Sequence, residues 1–176
     1  MKRPRDDAWL KDRASRSAGL LISILTRYPE LASVRFETRT RALRFTFLVS
    51  GHLDRASMHH VREQVTTSLE ALCALEGKLP QAFWIGRSTY GHLTAFEIVR
   101  DLNTLSQEEI SLLIELVKDE FHATLVRDDV AYPSPDDELA EQEEIIGEML
   151  EDLKGSRQDR NLIAVREEGR VFVYNK

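Results

Sequence analysis

Hydrophobic and polar positions alternate most regularly between Leu43 and Ser50. Leu43, Phe45, Phe47 and Val49 fall on one face, and Arg44, Thr46 and Ser50 on the other, with Leu48 the exception. A period of two predicts a strand buried on one side. The period then changes. Met58, Val61, Val65, Leu69 and Leu72 form a stripe at helical spacing, opened by Asp54 as N-cap and closed by Gly77. Leu53 and Met58 flank the cap at the spacing of a hydrophobic staple.

The same reading extends along the chain. Leu10, Ala14, Ala18, Leu21, Leu25 and Tyr28 share one face of a helix over residues 8–28, and Pro29 ends it. Val34–Glu37 alternates and pairs with the 43–50 strand as a hairpin through the polar turn Thr38–Arg41. After Pro80 the pattern predicts a short strand at Ala82–Ile85 and a glycine-bounded loop at Gly86–His92. A longer strand follows at Leu93–Val99. Ser106-Gln107-Glu108-Glu109 is a capping box, with Leu105 and Ile110 as staple, opening a helix that runs to about Phe121. Ala123–Arg127 reads as one more strand.

From Leu43 the order is strand, helix, strand, strand, helix, strand. The fold class is therefore α+β: a mainly antiparallel sheet with two or more helices on one face, in the split βαβ order of ferredoxin-like folds. One conflict is built in. The first strand of that arrangement already has neighbours on both sides, so a hairpin partner at 34–37 competes for an occupied edge.

Residues 128–137, with two prolines and four aspartates, read as a linker. An acidic helix over about 137–154 follows, with Leu139, Ile146, Met149, Leu150 and Leu153 as a narrow apolar stripe. Between Asp136 and Asp152 it carries nine acidic side chains and no basic one. Gly155 ends it. Leu162–Arg166 and Arg170–Tyr174 form a C-terminal hairpin, which needs a surface to dock on, because a lone hairpin is marginal in water. The division that results is an α+β domain at 1–127, the linker at 128–137, and a helix-plus-hairpin appendage at 138–176.

Composition narrows the classes. The 176 residues are 42% hydrophobic and 31% charged, which fits a globular chain and excludes wholesale disorder. The single cysteine, Cys73, cannot form an internal disulfide and reads as a small buried residue. The basic N-terminus (Lys2, Arg3, Arg5, Lys11, Arg13, Arg16) is followed only by the short, Ser-interrupted apolar run Ala18–Leu25. That run resembles neither a signal peptide nor a membrane span, so the expected location is cytoplasmic, with no membrane partner.

Catalytic and metal motifs do not emerge. The histidines are 52, 59, 60, 92 and 122; His59 and His60 project about 100° apart on a helix, and no H-x-x-x-H or C-x-x-C spacing occurs. No Walker A, G-x-S-x-G or G-x-G-x-x-G motif is present. The expectation is no cofactor, no metal and no enzymatic activity. Candidate binding residues are Arg35, Arg39, Arg41 and Arg44 on the hairpin, able to grip phosphate or carboxylate, and Arg87, Tyr90 and His92 on the Gly86–His92 loop.

The leading functional expectation is a non-enzymatic interaction or regulatory protein. Its partner is another protein or a second copy, drawn together by a basic N-terminal region and an acidic C-terminal helix. The alternative is nucleic-acid binding by the arginine hairpin and the basic N-terminus, which the net charge of -6 does not favour. A small enzyme with a site at the Gly86–His92 loop ranks third.

Overall fold

The computed structural model describes residues 5–128, 135–157 and 160–175, with side chains from residue 16 onward. Its elements are α1 (Arg5–Arg27), β1 (Ser33–Glu37), β2 (Ala42–Ser50), α2 (Arg55–Glu76), β3 (Phe83–Tyr90), β4 (Leu93–Asp101), α3 (Gln107–Phe121), α4 (Asp136–Lys154), β5 (Leu162–Glu167) and β6 (Arg170–Asn175). The strands form one six-stranded sheet in the order β3-β4-β2-β1-β5-β6, every neighbouring pair antiparallel. The α+β class is as the pattern implies. No helix among the described residues is long and apolar enough to cross a membrane. Most of the 128–137 segment, the N-terminal Lys2 and Arg3, and the side chains of Arg5, Lys11 and Arg13 lie outside what is described.

β2 is the organising strand. Leu43, Phe45, Phe47 and Val49 are buried and meet Val34 and Phe36 of β1, Phe96 and Ile98 of β4, and Leu162 and Ala164 of β5 in a single core. All four helices contribute to it: Leu21 and Leu25 from α1, Val61 and Val65 from α2, Leu113 and Val117 from α3, Ile146 and Leu150 from α4. The helices therefore cover one side of the sheet, and the alternate strand residues face away from them. Asp54 caps α2 by accepting from the Ser57 N–H at 2.7 Å, and Gly77 closes it in the left-handed region (φ 69°).

Three expectations change. Residues 123–127 are not a strand. Only Leu125 bridges, to Val49, with Ser50 N–H donating to Thr124 and Val126 N–H to Leu48, each at 2.8 Å. The conflict over the edge of β2 is thus divided. β1 holds it from Ala42 to Thr46, and the 124–126 segment takes the two or three residues left over. Second, residues 86–90 are not a loop. They continue β3 without interruption, and only Gly91 and His92 form the turn to β4. Gly86 sits in mid-strand beneath the Trp84 indole; a Cβ there would collide with Cη2 and Cζ2 of the ring. Third, the capping box is half made. Ser106 Oγ accepts from the Glu109 N–H at 3.2 Å, but the Glu109 side chain turns into the core instead of back to Ser106.

The C-terminal hairpin docks on the main sheet, through β5 against β1. Arg166 secures that junction from the helix side. Its guanidinium donates to the Leu25, Tyr28 and Leu31 carbonyls at the end of α1, and to Asp128. A cation is favoured there because helix C-termini present unpaired carbonyls and negative potential.

Candidate functional site

The face of the sheet turned away from the helices carries Ser33, Arg35 and Glu37 from β1, and Arg44, Thr46 and Leu48 from β2. Trp84 and Tyr90 from β3, Glu97 and Val99 from β4, Ile163 and Val165 from β5, and Phe172 and Tyr174 from β6 complete it. Cross-strand register fixes these positions: Arg35 lies opposite Arg44 and Ile163, Arg44 opposite Val99, and Trp84 on the far side of Val99. Four rings stand open on this face: Trp84 at 50% exposure, Tyr90 at 66%, Phe172 at 38% and Tyr174 at 48%. Phe172 and Tyr174 stack on each other, centroids 6.5 Å apart. Single exposed apolar residues are ordinary; these rings fall in two pairs, Trp84 and Tyr90 on β3 at one edge of the sheet and Phe172 and Tyr174 on β6 at the other.

The middle of the face is polar. Arg44 pairs with Glu97 at 2.5 Å and Glu37 at 3.3 Å, and its guanidinium lies 5.4 Å from the Trp84 ring centre. Burial alone would lower the Arg44 pKa; the hydrogen bond and charge of Glu97, then Glu37, outweigh that and raise it. Arg44 is thereby neutralised and held over the indole. Arg35 differs. Its Nε is buried with no hydrogen-bond partner, and it makes no ion pair among the described residues. Arg35, Arg44, Thr46, Tyr90, Glu97 and Val165 border a shallow depression of about 480 Å³.

The seven residues singled out by sequence therefore separate. Arg35, Arg44 and Tyr90 come together around this depression. Arg39 is exposed at the β1–β2 turn. Arg41, in the left-handed region at φ 50°, reaches the end of α4, donating to Ser156 O at 3.0 Å, Lys154 O at 3.2 Å and Leu153 O at 3.5 Å. Arg87 donates to the Leu53 and Asp54 carbonyls at 2.5 and 2.9 Å, bracing the start of α2. His92 lies in the β3–β4 turn, its carbonyl accepting from Gly51 N–H at 2.6 Å. Two of the four hairpin arginines, Arg41 and Arg44, are thus engaged inside the molecule.

The exposed side of α4 contributes a second concavity, about 1190 Å³, between α3 and α4. Glu108, Glu144, Glu148, Glu151 and Asp152 line it, with Glu143 held by Arg27 at 2.6 Å. Its floor is a network in which Gln107 Nε2 donates to Tyr28 Oη at 2.6 Å and Ser111 Oγ at 3.1 Å. Five of the nine acidic side chains of α4 line this groove, with Lys78 a basic neighbour, while Ile146, Leu150 and Leu153 are buried.

Sequence reasoning passed over the most fully connected polar group. Arg100 is buried and donates to both Glu109 carboxylate oxygens (2.7 and 2.8 Å), to Thr104 Oγ1 (3.0 Å), to the Ala82 carbonyl (3.1 Å) and to Asp101. Burial alone would raise Asp101. Hydrogen bonds from Thr104 and from the Ala82 N–H, with the Arg100 charge, bring it instead below the ordinary carboxylate value. Cys73 Sγ lies 3.5 Å from Glu109; burial, then the Glu109 charge, raises its pKa and suppresses thiolate. The only sequence signal was an arginine on the apolar face of a strand, Arg100 following Phe96 and Ile98 at two-residue spacing. The group serves as a structural clamp with its polar atoms paired. His59 and His60 diverge as their spacing requires, towards Glu63 and Glu120. Among the described residues, no three His, Cys, Asp or Glu side chains converge as a metal site.

No protein-family model matches the chain, and no significant match appears among curated proteins or solved structures.

Proposed function

We propose that this chain is a non-enzymatic interaction protein of the cytoplasm that docks another protein on the uncovered face of its sheet. One observation carries the reading: four exposed aromatic rings share that face with Arg35, whose buried Nε has no hydrogen-bond partner among the described residues. Six strands about 4.8 Å apart, each with some five residues on the face's axis, span about 24 by 17 Å, or about 400 Å² in projection. That area includes the polar middle of the face, with an aromatic pair at each edge. Aromatic residues and arginine are also the residue types enriched at protein interfaces. The charge on the face is nearly balanced, with Arg44 neutralised by Glu37 and Glu97. A suitable partner therefore brings apolar side chains to the rings and a carboxylate to Arg35.

Single-stranded nucleic acid is the second reading, favoured by the same rings as stacking platforms. Glu37 and Glu97 in the middle of the face oppose a phosphate backbone. The test is site-specific photo-crosslinking in the native host, with the photoreactive residue placed at Trp84 or Tyr90, and at Glu70 on the outer side of α2 as control. Discrete protein adducts at 84 and 90, absent at 70 and lost on Arg35→Glu, are expected. Adducts to nucleic acid, or identical patterns at all three positions, would refute the proposal.

A further inference from the structure

We infer that β6 is an edge for self-assembly, at which a second copy of this chain adds its own β6 and continues the sheet. The inference rests on the reading of the chain as an interaction protein and names one of its partners.

The two edges of the sheet are not equivalent. β3 and β4 are joined by the two-residue turn Gly91-His92, which makes Tyr90 and Leu93 a hydrogen-bonded pair. By alternation, Ile85 and Arg87 then turn their backbone groups outward. The Ile85 carbonyl is in fact occupied, accepting from Arg62 at 3.2 Å. A side chain from α2 thus blocks the middle of the β3 edge, one of the ways in which proteins protect such edges.

β6 has no such guard among the described residues. The turn Glu168-Gly169, both at positive φ (50° and 77°), closes on the Glu167–Arg170 pair. Arg170, Phe172 and Tyr174 therefore bond inward to β5, and Val171 and Val173 direct their N–H and C=O groups outward. Among the described residues β6 is hydrogen-bonded on one side only, to β5. Its sequence, Arg-Val-Phe-Val-Tyr-Asn, has no proline, no bulge and no charge after Arg170. These are high-propensity strand residues without the usual deterrents to pairing.

The strand is also complementary to itself. In antiparallel pairing about a two-fold axis at Phe172, Val171 of each copy meets Val173 of the other, and all four outward groups on each strand find partners. Phe172 then meets Phe172 of the second copy at a non-hydrogen-bonded position, where side chains approach most closely. Arg170 comes opposite Tyr174, a cation against a ring. The stacked Phe172–Tyr174 pair, exposed in the single chain, becomes one half of a row of four rings crossing the junction. A generic extended peptide would satisfy the backbone groups but not supply that row, so a second copy is the occupant the sequence of β6 fits best.

The test uses the full chain and two substitutions. Val173→Pro removes an outward N–H and trims a side chain at the margin of the core, while the bonds to β5 remain; circular dichroism checks that the fold is retained. Phe172→Cys places two thiols across the axis at a Cα separation of about 4.5 Å, within disulfide range; buried Cys73 does not compete. The expected result is a dimeric wild type by sedimentation velocity, a folded, monomeric Val173→Pro variant, and near-complete disulfide dimer for Phe172→Cys under mild oxidation. Tyr90→Cys, beside the guarded edge, serves as control and stays largely uncrosslinked. A Val173→Pro variant that remains dimeric, or equal crosslinking from positions 172 and 90, overturns the edge assignment. A wild type that is monomeric at every concentration overturns it too, while face docking stands or falls separately on the photo-crosslinking.

Discussion

Glu109→Gln tests the account of the buried Arg100 network most sharply. The change keeps the shape of the side chain and removes its charge. Glutamine can still accept one hydrogen bond from the guanidinium, but its amide nitrogen then faces another donor. In the native chain the two carboxylate oxygens take bonds of 2.7 and 2.8 Å from Arg100, and both side chains are inaccessible to solvent. Breaking a buried pair from one side typically costs about 3–5 kcal/mol, because the remaining charge is left uncompensated. Here Asp101 and Thr104 stay in contact with Arg100, so the cost falls at the lower end, about 3 kcal/mol. At about 2–4 °C per kcal/mol for a chain of this size, the melting temperature drops by about 6–12 °C. Urea denaturation followed by circular dichroism gives the free energy directly, and the loss should depend little on salt because the pair is buried. The double variant Arg100→Met/Glu109→Leu should recover most of it, since apolar replacement of both partners removes the uncompensated charge. A loss below about 1 kcal/mol for Glu109→Gln, or a double variant worse than the single, would refute the reasoning.

Three further outcomes follow from contacts already described. The folded-state pKa of Asp101 lies below its ordinary 3.8, so its stabilising contribution is complete above the unfolded value and is lost as pH falls through the folded one; Asp101→Asn should lower stability near neutrality and flatten the acid limb of a stability–pH curve, checked by denaturant melts from pH 2 to 7. Gly86→Ala should displace the half-exposed Trp84 ring and alter tryptophan emission with little change in stability; unchanged emission would show that the ring is not seated on the glycine. Arg41→Ala should cost about 1–3 kcal/mol and accelerate amide exchange at the end of α4, because the Lys154 and Ser156 carbonyls lose the Arg41 donor.

The parts of this architecture legible in the sequence are those fixed by local periodicity. The strand at 43–50, the stripe of α2 and its Asp54 and Gly77 ends are set by residues within a few positions of one another. What failed depended on distant partners. Gly86 reads as a break because glycine usually punctuates structure; nothing local announces that an indole two residues earlier will lie over it. The hairpin arginines look alike in one dimension, yet Arg41 serves a helix end more than 110 residues away, Arg44 is held between two glutamates, and Arg35 makes no ion pair among the described residues. Leu125 has the composition of a strand residue, but most of the edge of β2 already belongs to β1. The open face was legible only in part. Arg35, Arg44 and Tyr90 could be named, whereas Phe172 and Tyr174 join them only because β5 docks on β1 and extends the sheet, and Trp84 because β3 continues unbroken through Gly86.

That docking has a consequence for how the chain comes into being. β1 bonds to β5, and α1 packs beside α4, although well over a hundred residues separate the partners. During synthesis Leu20, Leu21, Ile24 and Leu25 would lack the part of their cover that α4 and β5 provide until residues 136–166 cleared the ribosome. At about 5–20 residues per second that interval lasts several seconds or more. A nascent chain halted before β5 should therefore be a chaperone client, and one halted after it should not.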